Sequence, residues 1–131
     1  MPITYAPANG TILICTYSGI KPEMEKKRPV VLLSSIAYRL CLVVPLSTTW
    51  PKDIMPWHYF VKLPERLPGN YKDIECWAKC DMVSHASFDR LELLFNGKEK
   101  NGKRRYQFTN VGEEALEAIR ACVVRAIGVR Y

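Results

Sequence analysis

The sequence predicts a mainly β domain, in which several short strands form a compact, half-open barrel and one C-terminal α-helix packs on it. Short segments rich in β-branched and other apolar residues, such as residues 11–16 and 29–33, recur along most of the chain. Stretches rich in Gly, Pro and charged residues separate these segments and are typical of turns. Only the end of the chain carries apolar residues at helical spacing. Strands first and a helix last favour this architecture.

Five to seven strands are expected from the apolar segments. They cover residues 11–16, 29–33, 40–46, 58–63 and 74–84, with a final hairpin formed by residues 91–95 and 104–108. Residues 74–84 alternate in polarity and are predicted to form one long strand. Pro45 indicates a sheet edge or a bulge, because proline has no amide hydrogen for a central ladder. Loops are expected at residues 18–27, 48–56 and 64–70, and the hairpin tip at 96–103.

The C-terminal segment predicts a helix. Asn110 lies three residues before Glu113, a pattern typical of a helix start, and Gly128 is expected to end the helix. One apolar face is predicted from spacings of three and four, and it comprises Leu116, Ile119, Val123, Ala126 and Ile127.

Length and composition limit the class of protein. The 131 residues suit one domain spanning 1–131, and 48% of them are hydrophobic. No apolar run approaches the roughly 18–20 residues of a membrane helix, and the N-terminus does not resemble a secretion signal. The five cysteines are odd in number and scattered through apolar segments, which indicates reduced, buried thiols in a cytoplasmic protein. Cys76 and Cys80 lack a second ligand pair, so we expect no zinc site.

The chain is basic, with a formal net charge of +6. Small basic domains often bind polyanions, because Lys and Arg displace the counterions condensed on phosphates. An ordinary basic surface that keeps the protein in solution accounts for the charge equally well.

Three stretches together resemble the MazF/PemK (Kid) family of bacterial toxins. In residues 26–34, Lys-Lys-Arg-Pro precedes a buried strand; residues 43–49 form a strand ending in Ser-Thr-Thr; and in residues 79–91, Lys-Cys-Asp is followed by an Arg. With the first strand from Gly10 and the C-terminal helix, the resemblance extends over about residues 10–129.

This resemblance implies a fold, an activity and partners. The family's members are SH3-like barrels that form homodimers in the cytoplasm. They cut single-stranded RNA at short sequences without a metal or other cofactor, leaving 2′,3′-cyclic phosphate and 5′-hydroxyl ends. A cognate antitoxin protein blocks their RNA-binding groove, and an acidic, disordered tail on such a partner would suit a basic protein.

Arg28 and Ser47 are the first candidates for catalysis. The guanidinium of Arg28 can grip two phosphate oxygens and stays charged at any working pH. Read without the family, Arg28 would be a solvent-facing residue at a strand start. Ser47 stands where the family commonly has a threonine and can donate to a phosphate oxygen. Thr48 is the reserve hydroxyl, and Thr49 completes the motif.

Lys79 and Asp81 are the candidate acid–base pair. Two residues apart on the predicted strand, their side chains would share one face. A surface ion pair, worth roughly 0–1 kcal/mol, explains the same spacing. Some family members have Arg where this chain has Lys79.

The loop before Arg28 departs from the family. Glu23 matches the family's glutamate, but Pro22 stands where some members have a catalytic histidine. The two histidines, His58 and His85, are candidates beside the substrate, or else polar strand residues hydrogen-bonded to a neighbour.

Aromatic and basic side chains supply the remaining candidates for RNA binding. Trp50 and Trp57 lie in or beside predicted loops and could stack on unpaired bases, whereas Trp77 is expected to pack in the core or a dimer interface. Lys27 is expected to hold the RNA backbone together with other cations, namely Lys26, Lys52, Lys98, Lys100, Lys103, Arg104 and Arg105. A solvated hairpin tip is the alternative explanation for most of residues 96–105.

Two alternative functions remain open from the sequence. The protein could be a toxin of the same fold that binds DNA gyrase and cuts nothing, which the missing loop histidine favours. It could also be an RNA-binding module without catalysis. The trio Arg28, Ser47 and Asp81 favours the nuclease.

Overall fold

The computed structural model describes residues 2–71 and 73–129 of the chain. Its strands and helix are β1 Ile12–Ser18, β2 Glu25–Ala37, β3 Leu40–Ser47, β4 His58–Lys62, β5 Glu75–Lys79, β6 Ser84–Ser87, β7 Leu91–Glu92, β8 Leu94–Lys98, β9 Arg104–Gln107 and α1 Glu113–Ala126. Seven strands form one sheet, β8 and β9 form a separate hairpin, and α1 lies last. The mainly β fold with a C-terminal helix is therefore confirmed.

The sheet branches at β3. Its strand order is β4-β5-β3-β2-β1-β7, and β6 also pairs with β3. On the side away from β2, β3 pairs with β6 up to Val43 and with β5 from Leu46 onward. Pro45 lies between these two stretches and pairs only with Val30 of β2. Pro45 is thus in an interior strand and not at a sheet edge. It lies at the point where the second side of β3 changes its partner from β6 to β5.

The predicted long strand at residues 74–84 is wrong. The chain leaves β5 after Lys79, makes a 3₁₀ turn at Cys80–Met82, and continues as β6. The amide of Cys80 donates to the Trp57 carbonyl at 3.2 Å, and its side chain is fully buried. The alternation in sequence persists through the turn because Cys80 still faces the core, so polarity alone could not locate the break.

The loop predicted at residues 18–27 is shorter than expected. Ser18 pairs with Glu25 and Tyr17 with Lys26, so the β1–β2 ladder includes both ends of that segment. Only residues 19–24 form the connection. Polar side chains are compatible with a strand where both faces of a hairpin end are exposed to water.

Two hydrophobic cores lie on opposite faces of the central strands. Ile14 and Val31 belong to the first core, which α1 covers with Leu116 and Ile119. The second core holds their strand neighbours, namely Leu13, Val30, Leu32, Val43 and Leu91 among others. Because both faces are buried, β2 and β3 read as continuous apolar runs rather than alternating ones.

The helix begins later than its sequence signal. Asn110 is not the N-cap residue; it accepts a hydrogen bond from the Gly112 amide at 2.8 Å and donates to the Asn9 carbonyl at 3.0 Å. It therefore fixes the turn ahead of the helix. Ile127 lies beyond the last turn and is 68% exposed, so it does not belong to the buried face. At 14 residues α1 is too short to cross a bilayer, and no other described segment forms a membrane-spanning helix.

Candidate nucleic-acid interface

One row of side chains crosses the sheet on the face opposite the first core. Ser47 of β3 is the register partner of Trp77 of β5, which in turn pairs with Phe60 of β4. Continuing the Val30–Pro45 register by two residues sets Arg28 of β2 opposite Ser47. The row therefore has a guanidinium and a hydroxyl at one end and aromatic rings at the other.

Arg28, Ser47 and Thr48 line one small cavity of about 60 Å³. The Arg28 Nε donates to the Glu25 carbonyl at 3.3 Å, which ties the guanidinium to its own strand. The Ser47 Oγ accepts a hydrogen bond from the Thr49 amide at 3.2 Å. Because the oxygen accepts this bond, the hydroxyl proton points away from the amide. The hydroxyl is therefore free to donate a hydrogen bond to a phosphate oxygen.

Asp73 lines the same cavity and was missed from the sequence. It follows a connector of mixed polarity and carries no motif that would mark it. Tyr71 also lines the cavity, and its hydroxyl donates to the Lys27 carbonyl at 3.4 Å. The cavity thus sets a guanidinium, two hydroxyl residues and a carboxylate around an apolar floor that includes Leu46, Leu63 and Leu67 of the first core.

A second cavity, of about 360 Å³, adjoins the first. Thr48 and Asp73 line both of them, and Trp50 and Arg66 belong to the second. The two cavities therefore lie side by side, and together they form what we call the groove, from Arg28 to Arg66. Arg66 was also missed, although its loop is among those expected from the sequence.

An aromatic cluster borders this groove. The Trp50 ring lies 5.2 Å from the Trp77 ring and 5.8 Å from that of Phe60, centre to centre. Trp50 is 65% exposed, whereas Trp77 beneath it is 5% exposed. The buried Nε1 of Trp77 has no hydrogen-bond partner among the described residues. Trp77 is therefore buried, as expected, and Trp50 presents a free ring face to solvent.

Trp57 and His58 have other roles. Trp57 packs against the first core and is not a free stacking platform. His58 lies beside Trp77 on the outer face, with ring centres 6.4 Å apart, and its Nδ1 accepts a hydrogen bond from the Met55 amide at 3.0 Å. That bond places the proton of neutral His58 on Nε2.

Lys79 and Asp81 do not share a strand face, so their predicted pairing is wrong. Lys79 ends β5 and pairs in register with His58, next to the aromatic cluster. Asp81 lies in the 3₁₀ turn that follows and lines a different cavity. The break at Cys80 separates the two side chains.

The cavity at Asp81 has a volume of about 680 Å³ and lies beneath the 19–24 loop. It brings together Glu23, Asp81 and His85, with Tyr17 and Arg90 among its other lining residues. Glu23 closes the loop by accepting a hydrogen bond from the Ile20 amide at 2.8 Å. Burial raises the pKa of the Tyr17 hydroxyl, which keeps it protonated at neutral pH. Sequence-predicted site residues are thus divided between this cavity and the Arg28 groove.

Lys27 is engaged elsewhere. Its ammonium lies 3.3 Å from the Glu92 carboxylate of β7. Partial burial works to raise the pKa of Glu92, but the hydrogen bond and charge of Lys27 act against it, and the net result is a pKa below the usual value. Lys27 therefore pairs with a carboxylate on the edge strand β7, while its neighbour Arg28 faces the groove.

The five cysteines are all buried and unpaired, in agreement with the sequence prediction. Among the described residues, no three His, Cys, Asp or Glu side chains are grouped so as to hold a metal ion.

These features define a small β protein with a groove that carries arginine, hydroxyl and carboxylate side chains, beside a cluster of aromatic rings in tilted and edge-on contact. The chain belongs to the PemK-like, MazF-like toxins of type II toxin–antitoxin systems, whose family model matches residues 8–123.

Relatives and solved structures agree with this assignment. The protein YifN of Escherichia coli K12 is 31% identical, with 70% of this chain and 75% of that protein covered. An uncharacterised protein of Haemophilus influenzae is 30% identical, with 70% and 73% covered. The fold is similar to that of the Mycobacterium tuberculosis toxin MazF-mt6, with a TM-score of 0.58 and 15% identity over 92% of this chain and 98% of the toxin. A mycobacterial endoribonuclease in complex with its cognate antitoxin gives a TM-score of 0.58 at 16% identity, over 96% and 99% of the two chains.

Proposed function

We propose that the protein is a toxin that cuts single-stranded RNA at a short recurring sequence without a metal ion. The observation that carries this proposal is the cavity shared by Arg28, Ser47 and Thr48, which opens into a groove bordered by an exposed tryptophan. The endoribonucleases among the solved structures of the same fold support it.

The reaction uses the RNA's own 2′-hydroxyl as nucleophile. A base removes the 2′ proton, the oxygen attacks the adjacent phosphorus, and the bond to the 5′ oxygen breaks. The leaving 5′ oxygen takes up a proton from water, and the protonated base returns its proton to solvent. The products are a 2′,3′-cyclic phosphate and a 5′-hydroxyl. Arg28 is placed to stabilise the charge that grows on the phosphate oxygens, and the Ser47 hydroxyl donates a further hydrogen bond to them.

Asp73 is our candidate for the base. It is the carboxylate that shares the cavity with Arg28 and Ser47, whereas Asp81 and Glu23 line the larger cavity beneath the 19–24 loop. Lys79, at the end of β5 beside the aromatic cluster, is assigned to holding an RNA phosphate rather than to proton transfer. Trp50 receives an unpaired base.

Two partners complete the proposal. The active form is a homodimer, as the resemblance to MazF/PemK toxins implies. A cognate antitoxin neutralises it by covering the groove, and the complex known for a mycobacterial endoribonuclease of similar fold supports this. The net charge of +6 favours an acidic binding segment on that partner.

The decisive experiment incubates the pure protein with a long single-stranded RNA in the presence of EDTA. We expect cuts at one recurring short sequence, mapped by primer extension, with new 5′ ends that a polynucleotide kinase can label directly. Arg28→Ala should lose cleavage by at least about 100-fold, the effect typical of removing one transition-state donor. Arg125→Ala, which removes an exposed arginine near the end of α1, is the matched control and should cut normally.

A folded wild-type protein that cuts no RNA would overturn the nuclease proposal. Retained binding of the RNA would then favour a binding module. Binding to DNA gyrase instead would favour the non-cutting toxin.

A further inference from the structure

The β8–β9 hairpin carries an exposed aromatic and basic face that the proposed cleavage site does not use. Phe95 and Tyr106 are register partners, and their ring centres lie 6.3 Å apart. The Arg104 guanidinium lies 4.9 Å from the centre of the Phe95 ring. Phe95 is 43% exposed and Tyr106 37%, and Phe108 just beyond β9 is 57% exposed.

The other face of the hairpin is turned to the protein. Leu94 is buried in the first core, and Gln107 opposite it donates to the Arg66 carbonyl at 2.8 Å. Because side chains alternate along a strand, these contacts direct Phe95 and Tyr106 outward. Three large aromatic residues exposed together on one hairpin do not contribute to the buried cores. Such a contiguous exposed patch typically marks a binding surface.

The charge of the hairpin identifies the kind of partner. Between Leu94 and Phe108 the chain has a single carboxylate, Glu99, and five cations: Lys98, Lys100, Lys103, Arg104 and Arg105. Cations hold phosphates through counterion release, and flat rings stack on unpaired bases. Aromatic rings interleaved with such charges are what a single-stranded nucleic acid needs.

The hairpin is also joined to the cleavage groove. The buried Thr109 hydroxyl donates to the Glu65 carboxylate at 2.6 Å, and Gln107 donates to the backbone of Arg66. Arg66 in turn lines the groove with Thr48 and Trp50. One short connector therefore borders both the groove and the base of the hairpin.

We propose that the outer face of the β8–β9 hairpin is a second binding surface for single-stranded RNA. It stacks one or two bases on Phe95 and Tyr106, while Arg104 and the tip lysines hold the neighbouring phosphates. The RNA bound there is the part of the strand that extends from the groove past Arg66. This inference rests on the proposed RNA substrate, and it adds a reason for the protein to prefer long, unfolded RNA.

The test measures binding separately from cutting. Fully 2′-O-methylated RNAs serve as probes because they cannot be cut by 2′-hydroxyl attack. Two lengths are used, about 5 and about 20 nucleotides, because one small binding domain typically covers roughly 4–16 nucleotides. By fluorescence anisotropy, we expect the wild type to bind the longer RNA more tightly. The variant Phe95→Leu with Tyr106→Leu keeps an apolar cross-strand pair but loses both flat rings. It should weaken binding of the long RNA by roughly fivefold or more and leave the short RNA unchanged.

Three controls make the outcome clear. Tyr38→Leu removes a tyrosine that is 92% exposed in the β2–β3 turn and should change nothing. Lys100→Ser with Lys103→Ser should flatten the salt dependence for the long RNA. Thermal melting verifies that each variant is folded.

The proposal is overturned if the double leucine variant, still folded, binds the long RNA as the wild type does. It is also overturned if a poly-glutamate peptide, used as the probe for an acidic protein partner, requires the hairpin rings while RNA does not. If the protein cuts no RNA in the EDTA assay but binds the long RNA in a ring-dependent way, the nuclease proposal is wrong and the hairpin proposal stands.

Discussion

Ser47 and Trp77 face each other across neighbouring strands, so the Ser47 hydroxyl and a buried indole occupy the same face of the sheet. The hydroxyl lies at the end of β3, where the strand runs into the loop that carries Trp50 over Trp77. In the proposed function, this strand end would hold the cleavage site and the loop after it would supply the surface for a base.

The first prediction separates the two candidate hydroxyls. Ser47→Ala should reduce single-turnover cleavage by about 100-fold, because it removes a donor to the phosphate. Thr48→Ala should reduce it by less than about tenfold, since Thr48 lies beyond the end of the strand, and Ser47→Thr should retain most activity. A larger loss for Thr48→Ala than for Ser47→Ala would reverse the assignment.

The second prediction concerns the base. Asp73→Asn should lower the cleavage rate by about 100-fold or more and remove the acidic limb of the pH–rate profile. Asp81→Asn is the matched change in the other cavity and should leave that limb in place. If Asp81→Asn abolishes the limb and Asp73→Asn does not, the proton is taken from the larger cavity and our assignment is wrong.

The third prediction concerns Trp50. Its ring covers Trp77, so bound RNA that stacks on Trp50 should change the tryptophan fluorescence of the protein. Trp50→Ala should weaken RNA binding by roughly five- to 150-fold, the range expected for one lost base stack, without a large change in stability. Tyr38→Ala removes an even more exposed ring and should bind as the wild type. Equal affinities for the wild type and Trp50→Ala would exclude the stacking role.

The fourth prediction tests the link between hairpin and groove. Thr109 is 1% exposed, and its hydroxyl bonds both Glu65 and Gln107. Thr109→Val leaves these two groups without their buried partner and should lower the free energy of unfolding by about 1–3 kcal/mol. Urea denaturation would measure it, with the exposed Thr4→Val as control. A change below about 0.5 kcal/mol would mean that water replaces the hydroxyl.

The fifth prediction concerns the buried thiols. Burial, assisted by the charge of Asp73, raises the pKa of Cys76 from its ordinary value of 9.0 to about 11. A raised pKa favours the protonated thiol in the folded state, so its stabilising effect is complete below pH 9 and lost as the pH rises toward 11. Stability should therefore decline across this window, and less so in Cys76→Ala. A thiol reagent at pH 8 should react slowly with the native protein and rapidly after unfolding. Rapid reaction of the folded protein would contradict the buried, protonated state.

The fold was largely predictable because its signals are local. Apolar segments located most strands, and the spacing from Leu116 to Val123 located the helix. The turn at Cys80 escaped prediction because a buried cysteine there preserves the alternation of a strand. Its position is decided by pairing, since β5 and β6 must join different stretches of β3.

The candidate site was only partly predictable. The family motif indicated Arg28 and Ser47, and the structure brings them together in register. It could not indicate Asp73 or Arg66, which reach the groove through a connector without regular structure. The motif also could not indicate that the side chains of Asp81 and Lys79 lie apart, because their separation depends on the turn between them.

The placement of Pro45 has a consequence for how such toxins diversify. With no amide hydrogen to satisfy, this residue lets a single strand pair with two neighbours in succession on one side, β6 beside the second core and β5 beside the groove. Substitutions in β4 and β5 can then accumulate without disturbing the strands on the far side of the proline. We expect relatives to differ most in the sequence they recognise and least in the half of the molecule that holds Leu13, Val30 and Val43.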